Sequence, residues 1–448
     1  MKTLNFHTCS FSPKTVTKTP NFLASFTSNL GNRSIALFLT RCSTKPATHI
    51  DNTEPTTQNN PQNYVSKQPS SSTPTPSSSE GLVFDLGQSG SWDSIEVGSP
   101  VVKRFLSDEE ERWFMWYHGR SEKNLGVVGL AVSSNGVHWQ RGDEALGSTS
   151  GTGIVMSCGA DWWAFDTKSI RPAEVMIMSS DKVRVSSAVY WMYYTGFSSE
   201  EVELPPDFAK QYSLCNPESL KIDSEDGFVR VFRSLPGLAI SQDGRNWARI
   251  EGDHHSGALF DVGSNGEWDS LFIASPHVVF HTNGDLRMYY HSFDPNLGKF
   301  SIGLARSRDG IKWLKLGKVM NAGLTEGCFD EMGLLNPCVV KEKKDGKYLM
   351  AYEGIAKDGK KSIGLAISDD GLKDWRRVGD EPVLKASSEN GWDSKGVGSP
   401  CLVQMEGDEH QWRLYYTGFG NDGSTGIGFA VSHGNYMTSF RRWVGFHL

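Results

Sequence analysis

The stretch Trp92-Asp93-Ser94-Ile95-Glu96-Val97-Gly98-Ser99-Pro100-Val101-Val102 decides how the rest of the chain is read, because it comes back. A Trp-Asp-Ser triplet with a proline seven residues after the aspartate recurs as Trp268-Asp269-Ser270 to Pro276 and as Trp392-Asp393-Ser394 to Pro400. Phe329-Asp330-Glu331 to Pro337 keeps the spacing, and Phe165-Asp166-Thr167 to Pro172 is one residue shorter. Five copies between residues 81 and 448 make modules of roughly 74 residues each.

Every module then continues in the same order. A β-branched run follows the proline, as in Val101-Val102, Val278-Val279 and Val339-Val340. An aromatic segment comes next: Trp116-Tyr117-His118-Gly119, Tyr193-Tyr194-Thr195-Gly196, Tyr289-Tyr290-His291-Ser292, Ala351-Tyr352-Glu353-Gly354 and Tyr415-Tyr416-Thr417-Gly418. A Gly-Leu-Ala-x-Ser segment or a close relative starts at Gly129, Gly237, Gly303, Gly364 and Gly428. Four modules turn through Asn135-Gly136, Asp243-Gly244, Asp309-Gly310 or Asp370-Gly371 toward Trp139, Trp247, Trp313 or Trp375. Asn-Gly and Asp-Gly accept the positive φ of tight hairpins. Four short antiparallel strands per module, five times over, predict an all-β five-bladed β-propeller across residues 81–448. The fifth module lacks the Asp-Gly turn. Residues 82–87 match the segment leading into Trp268, so an N-terminal strand is expected to complete the last blade and close the ring.

Ahead of the repeats the composition changes. Residues 1–50 hold six Lys or Arg, fifteen Ser or Thr and no Asp or Glu. A Ser-rich, acid-poor, mildly basic leader is the composition of an organelle transit peptide, and hydroxyl residues outnumbering arginines favour the chloroplast. Residues 51–80 are rich in Asn, Gln, Pro, Ser and Thr and read as a disordered linker. Beyond residue 80 the chain carries 38 basic and 49 acidic residues, a net of −11. That balance argues against nucleic acid as a partner. No apolar run is long enough for a membrane span. Cys158, Cys215, Cys328, Cys338 and Cys401 show no CxxC spacing, so neither zinc nor a disulfide framework is expected. No Gly-rich phosphate loop opens a helix, and no cofactor is expected.

In a repeat, what every module keeps is best explained by packing, and function belongs where modules depart from one another. The residue before the proline reads Ser99, Arg171, Ser275, Asn336 and Ser399. Two residues on stand Val101, Ala173, His277, Cys338 and Cys401. After the tyrosine stand His118, Thr195, His291, Glu353 and Thr417. Glu353 is the lone carboxylate of that set. His118, Asp166, Arg171, His291 and Asn336 are therefore candidate ligand-binding residues around a central channel. The second module also carries about forty residues between Gly196 and Gly237, a length typical of a lid or binding loop.

The order Pro-x-Val-Val, Tyr-Tyr-x-Gly and Ile-Gly-Leu-Ala-x-Ser-x-Asp-Gly-x-x-Trp resembles the five-bladed propellers of the arabinanase, levansucrase and invertase group, which are glycosyl hydrolase family 43-like. The resemblance implies action on a glycan or sugar conjugate by paired carboxylates, one protonating the leaving oxygen and the other activating water or attacking the sugar. In those hydrolases the base aspartate directly precedes the first inner-strand proline, where this chain has Ser99. The position expected for the acid reads Leu335-Asn336-Pro337. The nearest substitutes are Asp93 or Asp269 as base and Glu331 or Glu353 as acid. A propeller that binds a sugar or a protein partner without cleaving anything is the alternative. Either way, a carbohydrate or small-molecule ligand in the central channel is expected.

Overall fold

Why the tyrosine-rich segments are strands is visible in their burial: Tyr348–Ile355 and Trp412–Phe419 are buried at every residue. A strand covered on both faces needs a sheet packed between two neighbours, and the aromatic and β-branched residues supply both faces. The computed structural model describes residues 79–106, 111–122, 126–142, 153–178, 189–204, 229–282, 284–343, 345–405, 411–432 and 439–445. The leader (1–50) and nearly all of the linker (51–80) lie outside these residues.

The described chain is all-β, in a propeller-like arrangement of four-stranded antiparallel modules. A short strand, β1 (Leu82–Phe84), comes first. Module one is β2 (Glu96–Leu106), β3 (Glu111–Arg120), β4 (Val127–Ser133) and β5 (Gln140–Arg141), with β6 (Ile154–Met156) also on β4. Module two is β7 (Ser169–Met178), β8 (Val189–Leu204), β9 (Val229–Ser241) and β10 (Ala248–Ile250). Module three is β11 (Ala274–Thr282), β12 (Asp285–Asp294), β13 (Lys299–Ser307) and β14 (Leu314–Met320). Module four is β15 (Gly333–Lys341), β16 (Tyr348–Ile355), β17 (Lys361–Ser368) and β18 (Arg376–Arg377). Module five is β19 (Gly396–Gln404), β20 (Trp412–Phe419), β21 (Thr425–Ser432) and β22 (Arg441–Arg442). Among the described residues no helix is long and apolar enough to cross a membrane.

The core is not one centre but a set of layers between successive modules. Val101 and Trp116 pack with Met192 and Tyr194, Tyr193 with Met288 and Tyr290, Tyr289 with Met350 and Tyr352, and Leu349 with Leu414 and Tyr416. A further layer joins module five to module one through Tyr415, Phe429, Trp113 and Tyr117.

Hairpin glycines add a second set of links. Gly136, Gly244, Gly310 and Gly371 all have positive φ, and Ser133, Ser241, Ser307 and Ser368 accept their N–H groups. The carbonyls of those glycines accept from the neighbouring module: Trp116 Nε1 to Gly244 O, Tyr193 Oη to Gly310 O, Tyr289 Oη to Gly371 O, and Tyr415 Oη to Gly136 O.

Three expectations need correction. The outer edge of module five is shared: β1 pairs with β21 only at Leu82 and Phe84, and β22 pairs with β21 at Ala430 and Val431. The chain end therefore supplies an outer strand the sequence pattern did not reveal. Ser79 and Glu80, read as linker, belong to the fold, since Leu82 N donates to Ser79 O and Trp392 Nε1 donates to Glu80 O. The long insertion of module two is also not all loop. It extends β8 and β9 into a ribbon pairing Glu201 with Phe232, Val202 with Val231 and Glu203 with Arg230. Residues 205–228 lie outside the described residues.

Candidate functional site

At the outer side of each module the conserved triplet builds a closed bracket. The tyrosine of the second strand donates to the aspartate: Tyr117 to Asp93 (2.9 Å), Tyr194 to Asp166 (3.0 Å), Tyr290 to Asp269 (2.9 Å), Tyr352 to Asp330 (3.1 Å) and Tyr416 to Asp393 (3.0 Å). A basic residue of the outer strand meets the same carboxylate: Arg141, Arg249, Lys315, Arg377 and Arg442, at 2.7 to 2.9 Å. The aromatic residue before each aspartate stacks on that same tyrosine, with ring centroids 5.4 to 6.1 Å apart. A buried carboxylate is tolerated when it is paired and hydrogen-bonded. Each of these is so held through Oδ2, while Oδ1 of Asp166 and of Asp393 has no hydrogen-bond partner among the described residues.

The inner strands do something different at the residue before the proline. In four of the five modules the strand shifts register there, and Ser99, Ser275, Asn336 and Ser399 have φ of 47°, 53°, 48° and 44°. In module two Arg171 stays in register with Thr195 and the shift follows Pro172. Left-handed backbone is unfavourable for a residue with a side chain and more so ahead of proline. Held strain of this kind, on the order of 1–3 kcal/mol per residue, concentrates at functional sites. What holds it is the residue after the tyrosine in the preceding module. Ser99 N donates to Thr417 Oγ1 (2.9 Å), Ser275 N to Thr195 Oγ1 (2.8 Å), Asn336 N to His291 Nδ1 (3.2 Å) and Ser399 N to Glu353 Oε2 (2.9 Å). His118 follows the same plan with a different atom: its Nδ1 sits 2.9 Å from Ile170 O. Nδ1 must therefore carry the proton in His118 and the lone pair in His291, so equivalent positions hold opposite tautomers.

Ser99, Ser275, Asn336 and Ser399, through this turn, and Arg171 without it, line one pocket, together with Pro100, Pro172, Pro337 and Pro400. The pocket is open to solvent, which is counted in its volume of about 480 Å³. Its polar groups are three hydroxyls, one amide and one guanidinium. Asn336 is their hub: Ser275 Oγ donates to Asn336 Oδ1 (2.5 Å), while Asn336 Nδ2 donates to Glu353 Oε2 (2.7 Å) and Ser399 Oγ (3.3 Å).

Two carboxylates stand just behind the lining. Glu353 is 1% exposed and holds Lys361 Nζ at 2.7 Å through its other oxygen. Its approach needs a residue without a side chain at position 398, since a Cβ on Gly398 would come within 2.1 Å of Glu353 Oε2. Glu96 binds Arg171 (3.1 Å) and Arg120 (2.9 Å) and lies 3.5 Å from His118 Nε2. Burial alone would raise the Glu96 pKa, but the Arg171 and Arg120 charges hold it below the usual carboxylate range. Burial, then the Arg171 charge, pushes the His118 imidazole down to about 4. Glu96 is thus ionised and His118 neutral at neutral pH, and neither is poised as a general acid there.

The candidate residues sort accordingly. Arg171 and Asn336 line the pocket, and His118, His291 and Glu353 support its walls. Asp93, Asp166 and Asp269 do not reach it. They are at most 2% exposed and are held in the outer brackets, so the expectation that they act as base or ligand contact is corrected. Glu331 is also elsewhere: its Oε2 accepts from Gly327 N (2.8 Å) and closes a turn. Sequence reading missed Glu96 and Lys361. A comparison three residues ahead of each pre-proline position, reading Glu96, Lys168, Phe272, Gly333 and Gly396, would have singled out Glu96. Among the described residues no cluster of three or more His, Cys, Asp or Glu is arranged to hold a metal ion.

No family model matches the chain. Uncharacterised proteins of two Mycobacterium tuberculosis strains, CDC 1551 and H37Rv, are 32% and 31% identical over 208 residues. The match covers 45% of this chain and 62% of those relatives' length. Among solved structures, a glycoside hydrolase superposes with TM-score 0.53 at 13% identity over 82% of this chain and 94% of that one. A thermostable family-43 glycoside hydrolase gives 0.51 at 17% identity, over 75% and 89%. An N-acetylgalactosamine deacetylase from F. plautii, in complex with blood group B trisaccharide, gives 0.53 at 14% identity, over 80% and 95%. At these identities the likeness establishes a shared propeller-like fold.

Proposed function

We propose that the chain is a five-bladed propeller, closed through the contacts of module five with module one, that binds a glycan or sugar conjugate in its central pocket. One observation carries the reading: the five pre-proline residues converge on one pocket as Ser, Arg, Ser, Asn and Ser, groups that hydrogen-bond hydroxyls. The neighbours in fold include proteins named for action on carbohydrate. Hydrolysis by two carboxylates needs an acid and a base flanking the bond. The positions where the resembled hydrolases carry them are Ser99 and Asn336, and both Glu353 oxygens are taken up by Lys361, Asn336 and Ser399. Binding without this hydrolysis is the function that fits best.

A second reading rests on Glu353 lying one hydrogen bond behind the lining amide of Asn336. A ligand that displaced that amide would meet a carboxylate. A glycan array and a hydrolysis screen of the full chain, run with Asn336→Ala, Arg171→Gln and Glu353→Gln, separate the two. The proposal expects glycan capture that weakens at least tenfold in Asn336→Ala and Arg171→Gln, with no release of reducing sugar by wild type. Sugar release abolished by Glu353→Gln would establish the second reading instead. Capture unchanged in both pocket variants would move the ligand out of the channel.

The plastid is part of the same proposal, supported by the composition of residues 1–50. A fluorescent protein fused behind residues 1–80 should enter plastids, and a diffuse cytoplasmic signal would overturn it.

A further inference from the structure

Below the sugar pocket, the inner strands carry a second group of reactive side chains that the glycan reading leaves unused. Cys338 and Cys401, on the inner strands of modules four and five, are 4% and 8% exposed and border a second opening of the channel with Lys103, Glu174 and His277. Neither is in a disulfide. Cys338 Sγ sits against the residue that follows Cys401 on the neighbouring inner strand. Each sulfur also accepts a backbone N–H: Leu402 N lies 3.3 Å from Cys338 Sγ and Val102 N lies 3.3 Å from Cys401 Sγ.

Around the pair, Lys103 is ion-paired to Glu174, whose other oxygen lies 3.4 Å from His277 Nδ1. His277 Nε2 is turned away, 2.9 Å from Val339 O. The Lys103 ammonium is the cation of this group, and the Glu174 carboxylate paired with it opposes its charge. Donors aimed at a sulfur and a nearby cation are the features that favour thiolate. The opening is continuous with solvent, so a small oxidant can reach both sulfurs.

We propose that Cys401 and Cys338 form a redox-active dithiol that a small hydroperoxide converts to a disulfide joining the inner strands of modules four and five. In the first step the Cys401 thiolate attacks the peroxide oxygen, the O–O bond breaks, the alcohol or water leaves, and Cys401 becomes a sulfenic acid. In the second step Cys338 attacks that sulfur, its proton leaves with the hydroxyl as water, and the S–S bond forms. Two thiols and one hydroperoxide give one disulfide, one alcohol or water, and one water. The order of attack follows from what each sulfur rests on. Cys401 Sγ takes the N–H of Val102, the residue beside Lys103, whereas Cys338 Sγ takes the N–H of Leu402, which has no basic neighbour in sequence. The neighbouring Cys338 thiol, then Val102 N and the Lys103 charge, hold Cys401 below its ordinary thiol value against burial and the Glu174 charge. The neighbouring Cys401 thiol and burial raise Cys338. Elsewhere burial and the Asp166 charge push Cys158 up to about 12, which makes it the internal control.

The test uses the full chain, reduced and then freed of reductant. It is treated with near-stoichiometric hydrogen peroxide, acid-quenched, denatured, alkylated and mapped by non-reducing peptide mass spectrometry. The expected result is loss of two alkylatable thiols, a Cys338–Cys401 linked peptide reversed by dithiothreitol, and unchanged alkylation of Cys158. With dimedone present, Cys338→Ser should trap a sulfenic acid on Cys401, and Cys401→Ser should trap none on Cys338. Retention of both thiols after treatment, or oxidation falling first on Cys158 or Cys328, would overturn the proposal. Because the linked peptide is read in wild type, the result stands even where a serine variant fails to fold.

Discussion

The outer rim and the inner wall of this molecule are made from the same five modules and follow opposite rules. At the rim the Asp–Tyr–Arg or Lys bracket is repeated with hardly an atom changed, even in module two, whose triplet is one residue short. At the inner wall the same latch, from one second strand to the next inner strand, is made by Thr, His, Thr, His and Glu in turn. The rim carboxylates each close on partners within their own module, so any change there leaves a buried charge uncompensated. The inner latch asks only for a group of the right reach that can hydrogen-bond the next strand's backbone, an acceptor in four modules and the His118 donor in one, so its chemistry is free to differ from module to module.

The largest expected effect comes from breaking the rim. Asp330→Ala leaves Tyr352 Oη and Arg377 Nε without their acceptor in a site where the carboxylate is 1% exposed. Removing one member of such a pair destabilises by about 4 kcal/mol. Urea titration of the full chain checks it, and a loss no greater than that of an exposed Asp→Ala control, such as Asp358→Ala, would end the structural account of the bracket.

Next in size is the pH dependence written into the inner wall. The folded His118 titrates at about 4, whereas an unfolded histidine titrates near 6.5, so the unfolded chain takes up the proton first as pH falls. The contribution to stability is therefore complete above about pH 6.5 and is lost toward pH 4, on the order of 3 kcal/mol. Glu96, whose folded pKa is depressed, adds a loss of the same sign at lower pH still. In His118→Gln the slope of stability between pH 6.5 and 4.5 should be shallower than in wild type, and equal slopes would show that this histidine is not held neutral.

How much of this could be read beforehand follows from where each partner sits in the chain. The bracket was legible because its parts lie at fixed offsets within a repeat. Arg141, Arg249, Lys315 and Arg377 each stand two residues after the hairpin tryptophan, and Asp and Tyr are anchored by their motifs. Module five lacks the Asn-Gly or Asp-Gly turn that leads to this basic residue in the others, which is why its outer strand was sought only at the N-terminus. The pocket was half legible. Departures from the repeat pointed to Arg171, Asn336 and Glu353. Which of them would face the pocket depended on a bulge at the pre-proline residue, and no spacing rule encodes that turn. Glu96 and Lys361 were invisible as site residues because their significance is a partner from another strand.

A third change tests how tightly the inner wall is packed rather than charged. Gly398→Ala would place a Cβ within 2.1 Å of Glu353 Oε2, and the carboxylate cannot retreat without loosening Lys361 and Asn336. Overpacking of this kind costs about 2 kcal/mol. The corresponding change in module one, Gly98→Ala, meets the Thr417 side chain at 3.0 Å and should cost less. Similar losses for the two glycines would mean that the Glu353 site is no more rigid than a threonine latch.

The smallest effect is the most informative about closure. Thr417 Oγ1 takes the N–H of Ser99, so Thr417→Val deletes a side-chain acceptor at the junction of the last module with the first while keeping the shape nearly constant. One lost hydrogen bond to a strained backbone N–H should cost about 1 kcal/mol. The matched change Thr195→Val deletes the same bond between modules two and three, where the chain itself already ties the neighbours together. If the first and last modules meet as the others do, the two variants lose stability equally and both unfold in one transition. A second, lower transition in Thr417→Val alone would mark the closing junction as the weak seam, and the rim brackets on either side would then be what holds each half together.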